Sequence, residues 1–154
     1  MTTQAATKKY GAPNETGSGY LVKITLPYPM RIAWDTDSTV TTMMCHKLIA
    51  SNLTNVFNEI LIEYGYNNIK ELGIDLFGGC FNYRKMRNGN AWSMHAWGIA
   101  IDLDPARNTL KECRATARFA RPEYKPMIDI FYKNGFISLG IEQNRDWMHF
   151  EIKE

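Results

Sequence analysis

Two short segments of the chain place imidazoles and carboxylates at regular spacings. In Ser93-Met94-His95-Ala96-Trp97-Gly98-Ile99-Ala100-Ile101-Asp102-Leu103-Asp104 a histidine precedes an aspartate by seven positions across a glycine turn. Near the C-terminus, Asp146-Trp147-Met148-His149-Phe150-Glu151 supplies a second histidine. Two imidazoles and one carboxylate, His95, His149 and Asp102, make the three-ligand set expected of a catalytic zinc, which keeps its fourth position for water or substrate. A structural zinc is more often closed by four ligands rich in cysteine, and Cys45, Cys80 and Cys113 contain no Cys-x-x-Cys pair. Either histidine alone reads more readily as a hydrogen-bonded structural residue; the two motifs together change that reading.

Strands must carry both motifs. Over Ile99 to Leu103 a period of two sends Ile99, Ile101 and Leu103 to one face and Ala100, Asp102 and Asp104 to the other, with Ala100 leaving room beside the carboxylate. Trp147 to Ile152 reads as a final strand, with Trp147, His149 and Glu151 on one side and Met148, Phe150 and Ile152 on the other. Upstream, Tyr20 to Leu26 alternates as a strand that Pro27 and Pro29 should stop, and Met30 to Trp34 suits a second short one. From Thr39 to Tyr64, Met44, Leu48, Leu53, Val56, Phe57, Ile60, Leu61 and Tyr64 recur at three and four, which predicts one long helix capped by Asp37 or Ser38 and ended by Gly65. Residues 71–87 suit a strand leading into a turn, and Pro122 to Asn134 a second helix ended at Gly135. Residues 1–19, rich in Thr, Gly, Ser and Asn, read as a flexible N-terminal arm or loop, leaving 20–154 as a single domain. Helices and strands without regular alternation predict an α+β fold.

The bulk properties exclude several classes. A chain of 154 residues is short for two domains, and 45% hydrophobic with 22% charged residues is ordinary globular usage. A net charge of +2 gives no compositional case for nucleic-acid binding, and no 18-residue apolar run predicts membrane insertion. Three cysteines at wide spacings do not suggest a disulfide framework. The N-terminus has no apolar secretory core, which leads to the expectation of a protein made in the cytoplasm.

Ser-x-His-x-x-Gly-x-Ala-x-Asp followed by Asp-x-x-His-Phe-Glu resembles the zinc peptidases of the M15 family, most strongly over about residues 78–152. The family cleaves peptidoglycan stem peptides and includes D-alanyl-D-alanine carboxypeptidases and dipeptidases and the L-alanyl-D-glutamate endopeptidases of bacteriophage endolysins. The resemblance implies a small antiparallel sheet with flanking helices. It also implies His95, Asp102 and His149 as metal ligands, and Asp146 as the general base that takes a proton from water. The family places an arginine upstream of the first histidine to meet the developing oxyanion. Arg84 and Arg87 are the available residues, Arg84 being preferred for its strand-like neighbourhood and Arg87 left to substrate binding. Ser93 and Trp147 are further candidates for touching substrate, Trp92 and Trp97 also flank the motifs, and Glu151 is placed to brace His149. Between the last helix and Asp146 the chain lacks the Trp-Gly-Gly-like stretch common in phage-type members.

The resemblance leads to the expectation of a monomeric phage-type endolysin, acting on the wall after release through a membrane-opening partner and cutting the L-alanyl-D-glutamate bond. A D-alanyl-D-alanine carboxypeptidase or dipeptidase would share the same four site residues. A non-catalytic, metal-stabilised module is the rival from another class, against which Asp146 argues. Cys80 with His95 would suit a cysteine peptidase, but nothing else in the chain supports it.

Overall fold

The computed structural model describes residues 1–87 and 89–154. Two long strands, β1 (Leu21–Ile32) and β2 (Asp35–His46), form a hairpin with Ala33 and Trp34 at its tip. Thr36, Thr39, Val40, Thr41 and Thr42 are β-branched and fit the pleated surface better than a helix. This overturns the helix expected from Thr39. Met43 and Cys45 are buried with Met44 facing out between them, a period of two, and Met44 and Leu48 are 39% and 60% exposed. The helix α2 spans Ala50–Tyr64, without a cap at Asp37 or Ser38, and ends at Gly65 as expected. Nor do Pro27 and Pro29 end β1. They fall where the pairing with β2 jumps from Thr25↔Thr42 to Met30↔Val40, an irregularity in which a missing N–H costs no ladder bond.

After α2 come α3 (Tyr66–Leu72), β3 (Leu76–Gly79), β4 (Ala100–Leu103), α4 (Lys125–Lys133), β5 (Phe136–Ser138), α5 (Leu139–Gln143) and β6 (His149–Ile152). The strands form one sheet in the order β2-β1-β3-β4-β6-β5, giving the α+β class predicted. The sheet is mixed rather than wholly antiparallel, because α2 and α3 return the chain so that β3 runs parallel to β1. Leu53, Val56, Phe57 and Ile60 of α2 and Met127 and Phe131 of α4 are buried in the core. Phe131 stacks on Phe150 of β6 at 4.0 Å between ring centroids. Each such fully buried side chain contributes roughly 1.5–3 kcal/mol, enough to fix which face of β6 looks inward.

Residues 1–19, expected as a loose arm, contain the helix α1 (Thr3–Tyr10), capped where Thr2 accepts from the Ala5 N–H. Ala6 and Tyr10 are buried, and the Trp97 indole donates to the Gly11 carbonyl at 2.7 Å. Composition concealed this because, apart from buried Ala6 and Tyr10, the segment is held by polar contacts to distant residues, among them the Trp92 N–H donating to Thr3 Oγ1 at 3.1 Å.

Candidate metal centre

The register of two strands assembles the site. β4 and β6 pair antiparallel with Asp102 directly opposite His149 and Ala100 opposite Glu151, so the alanine makes space for the glutamate. On the other side of β4, Gly79 is the partner of Asp102. His95 comes from a 3₁₀ turn, Met94–Trp97, whose first N–H groups include that of His95 donating to Ser93 Oγ at 3.3 Å. Gly98 closes the turn at φ 68°. A Cβ there would lie 2.8 Å from Leu21 Cδ2 and 3.1 Å from the His46 nitrogen, so both conformation and space require glycine.

The three predicted ligands converge. One ligand atom from each of His95, Asp102 and His149 lies within 4.8 Å of the others. His95 Nε2 is 3.1 Å from Asp102 Oδ2, and His149 Nδ1 is 3.2 Å from Asp102 Oδ1. Ligands about 2.0–2.2 Å from a tetrahedral ion stand about 3.3 Å apart, close to these two contacts, which run to opposite oxygens of the one carboxylate. The outer atoms of both rings are already committed. His95 Nδ1 lies 2.8 Å from the Cys80 carbonyl, which can only accept, so this nitrogen carries the proton and Nε2 keeps its lone pair. His149 Nε2 donates to Glu151 Oε1 at 2.9 Å, which turns the Nδ1 lone pair of the neutral ring inward. His95 Nε2 is buried and, despite its closeness to Asp102, makes no hydrogen bond, as expected of an atom aimed at a shared ligand rather than at a partner. The donor set therefore fits a divalent ion with zinc's preference for nitrogen and oxygen.

Electrostatics follow from this crowding. Burial alone would raise the Asp102 carboxyl, but the two imidazoles reverse it and hold the group well below the usual carboxylate range. Burial alone would lower His149, but its hydrogen bonds to Asp102 and Glu151 push it up to about 10. Glu151 is opposed by burial and still held down by His149 and by the N-terminal amine, which donates to Oε2 at 2.7 Å. Asp146 is raised, first by burial and then by Asp102, the direction that suits a proton acceptor working near neutrality. Burial pushes the Cys80 thiol well above its ordinary value, which removes the case for a thiolate nucleophile.

A cleft of about 550 Å³ opens on the triad and is also lined by Asp146, Arg84, Arg87 and Ser93. Asp146 adopts φ 54°, a left-handed conformation, and its N–H donates to the Leu110 carbonyl at 3.1 Å. Arg84 lies at this cleft beside an isolated bridge between Lys85 and Trp92, and Arg87 is exposed at the same opening. Ser93 reaches the cleft, but its hydroxyl caps the His95 turn. Trp147 does not join them. It is 2% exposed and packs on Gly140, where a Cβ would stand 2.2 Å from its ring, so it is a core residue rather than a cleft wall. Arg145 also lines the cleft; in the sequence it is one basic residue beside a turn, with no spacing that marks it.

Fold and site together define an α+β protein with a candidate His-Asp-His metal centre at the middle of its sheet. Residues 87–152, under half of the chain, match the model of an M15 peptidase family described as D-alanyl-D-alanine carboxypeptidase. No curated protein and no solved structure matches. The matched stretch contains His95, Asp102, Asp146 and His149 and supports a relation to the M15 peptidases.

Proposed function

We propose that the protein is a zinc-dependent peptidoglycan hydrolase of the M15 kind that cuts the stem peptide between L-alanine and D-glutamate. The observation that carries this reading is the joining of two hollows at the triad. The 550 Å³ cleft and a second hollow of about 300 Å³ share Arg84, His95 and Asp102, which supports a site that takes chain on either side of the scissile bond. An endopeptidase needs that passage, whereas a carboxypeptidase closes one side around a terminal carboxylate.

Zinc, when bound, supplies Lewis acidity toward water and the scissile carbonyl. Asp146 takes the proton from the attacking water and returns it to the leaving amine. Arg84 donates toward the carbonyl oxygen as negative charge develops there, and Arg87 meets a substrate carboxylate at the rim. The Cys80 carbonyl and Glu151 take the outer N–H of His95 and His149, so that with metal bound the inner nitrogen of each ring would be the one that holds it.

Mass spectrometry of digested muropeptides tests the assignment. New fragments beginning at D-glutamate support it, and loss of terminal D-alanine alone overturns it in favour of the carboxypeptidase reading, which the description of the matched family favours. As an endolysin the enzyme would be made in the cytoplasm and reach the wall through a membrane-opening partner. Among the described residues no helix is long and apolar enough to cross a membrane.

A further inference from the structure

The second hollow is walled by a residue that the proposed chemistry does not use. Trp34, at the tip of the β1–β2 hairpin, is 71% exposed and lines this hollow with Gly78, Gly79, Asn82 and Arg84. Large apolar side chains on a surface are informative when they border a site, because covering them is worth free energy that only a ligand can supply. The tip is tied down: the Ala33 N–H donates to the Phe77 carbonyl at 2.9 Å, and Ile32 pairs with both Asp35 and Phe77. An indole on so short a turn offers a broad flat face while losing little freedom on contact, since tryptophan has only two side-chain torsions. Gly79 presents no side chain and a Cβ there would meet nothing within 4 Å, which leaves open space for a rigid ring, and the Asn82 carboxamide brings both a donor and an acceptor to the same hollow.

Charge assigns the two ends of a substrate. At its rim, beyond the carboxylates Asp102, Asp146 and Glu151, the larger cleft carries Arg87 and Arg145 as well as Arg84, while the smaller hollow has Arg84 and Asp102 as its charged side chains among the described residues, apart from His95. In a peptidoglycan stem every carboxylate lies on the C-terminal side of the L-alanyl-D-glutamate bond. The other side is uncharged: one alanine, a lactyl ether and the muramoyl sugar, which begins within about two residue lengths, or roughly 7 Å, of the scissile carbonyl. We propose, on the strength of the endopeptidase reading above, that the Trp34 hollow is a sugar subsite, where the muramoyl ring stacks its apolar face on the indole and bonds its acetamido group to Asn82.

The test compares N-acetylmuramoyl tetrapeptide with the same tetrapeptide carrying only a lactoyl cap, so that the two differ in the sugar and not in charge. The parent protein should prefer the muramoyl substrate through KM. Trp34→Ala should cut that preference on the order of three- to tenfold, the factor one ring-on-ring contact is worth, and Trp34→Phe should restore part of it. Equal treatment of the two substrates by the parent, or an equal loss on both in Trp34→Ala, overturns the sugar subsite. The second outcome would make Trp34 a peptide contact instead. Calorimetric binding of both ligands to zinc-loaded Asp146→Asn separates this idea from the peptidase reading. If the parent cuts neither substrate, the peptidase reading fails. A sugar-dependent gain in affinity that Trp34→Ala loses would still sustain the subsite, and equal affinities would end it.

Discussion

Metal binding should expel one proton, and His149 should be its source. In the metal-free protein this imidazole lies between Asp102 at 3.2 Å and Glu151 at 2.9 Å and is pushed up to about 10, so at pH 7 it is an imidazolium. A metal accepts only the neutral ring. Three pH units at about 1.4 kcal/mol each mean that the proton opposes the metal by about 4 kcal/mol at pH 7. Apparent affinity should therefore rise about tenfold per pH unit from about pH 7 to about pH 9 and level off near 10, the value reached by His149. Competition with a chromophoric chelator measures the slope, and calorimetry in buffers of different ionisation enthalpy counts the proton. Glu151→Gln removes one of the two carboxylates, so the plateau should move to lower pH. Its loss as a brace should also cost about 10–100-fold in affinity above the plateau. An affinity independent of pH between 7 and 9, with no proton released, would refute the assignment of His149 as a ligand whose ring is hydrogen-bonded at both nitrogens until the metal replaces the Nδ1 proton.

In the absence of metal the same group should shape stability: a raised folded value contributes fully below about 6.5 and is lost as pH climbs toward about 10, so the metal-free melting temperature should fall over that window more than the zinc-loaded one. Asp146→Asn should lower turnover by about 10² to 10⁴ with zinc still bound, measured by elemental analysis beside peptidoglycan digestion; asparagine tolerates the left-handed φ of 54°, so the loss could not be blamed on misfolding, and normal turnover would refute the base. Arg84→Ala should lower kcat on the order of 10²-fold and Arg87→Ala less, and the reverse ranking would transfer the oxyanion role to Arg87. Gly98→Ala should cost about 1–3 kcal/mol in denaturant unfolding, because the added carbon meets Leu21 at 2.8 Å and the turn holding His95 cannot relax.

The ligand set was legible because strand periodicity and ligand chemistry make the same demand on the same residues. Ala100 and Asp102 alternate with Ile99, Ile101 and Leu103, and any pairing that buries Phe150 also turns His149 and Glu151 to the other face. The residues misread lie where one pattern satisfies two periods. Met44 and Leu48 fit a helical stripe extending back from α2, yet the β-branched run from Thr39 to Thr42 takes the strand and leaves both of them facing water. Trp147 was misplaced because a strand-flanking tryptophan looks the same in sequence whether it walls a cleft or packs on Gly140. Trp34 and Arg145 carry no spacing at all. Trp34 meets the site only after β1 and β3 have run side by side, a contact between residues far apart in the chain, and Arg145, though next to Asp146, is a lone arginine with no repeat to mark it.

That division has a physical origin in how the centre is supported. Asp102 faces His149 through the ladder, and both strands are flanked by others in the sheet, so a one-residue slip of β6 would bury a charge and expose Phe150 together. His95 has no ladder to fix it. Its ring is oriented by a backbone carbonyl from the end of β3, its turn by a serine cap and a glycine that no other residue can replace without collision. The ligand with the least sheet support is thus the one with the most local constraints, and the serine and glycine that supply them are the non-ligating letters of the Ser-x-His-x-x-Gly motif. They are present for geometry, and a search that scores only ionisable side chains would pass over them.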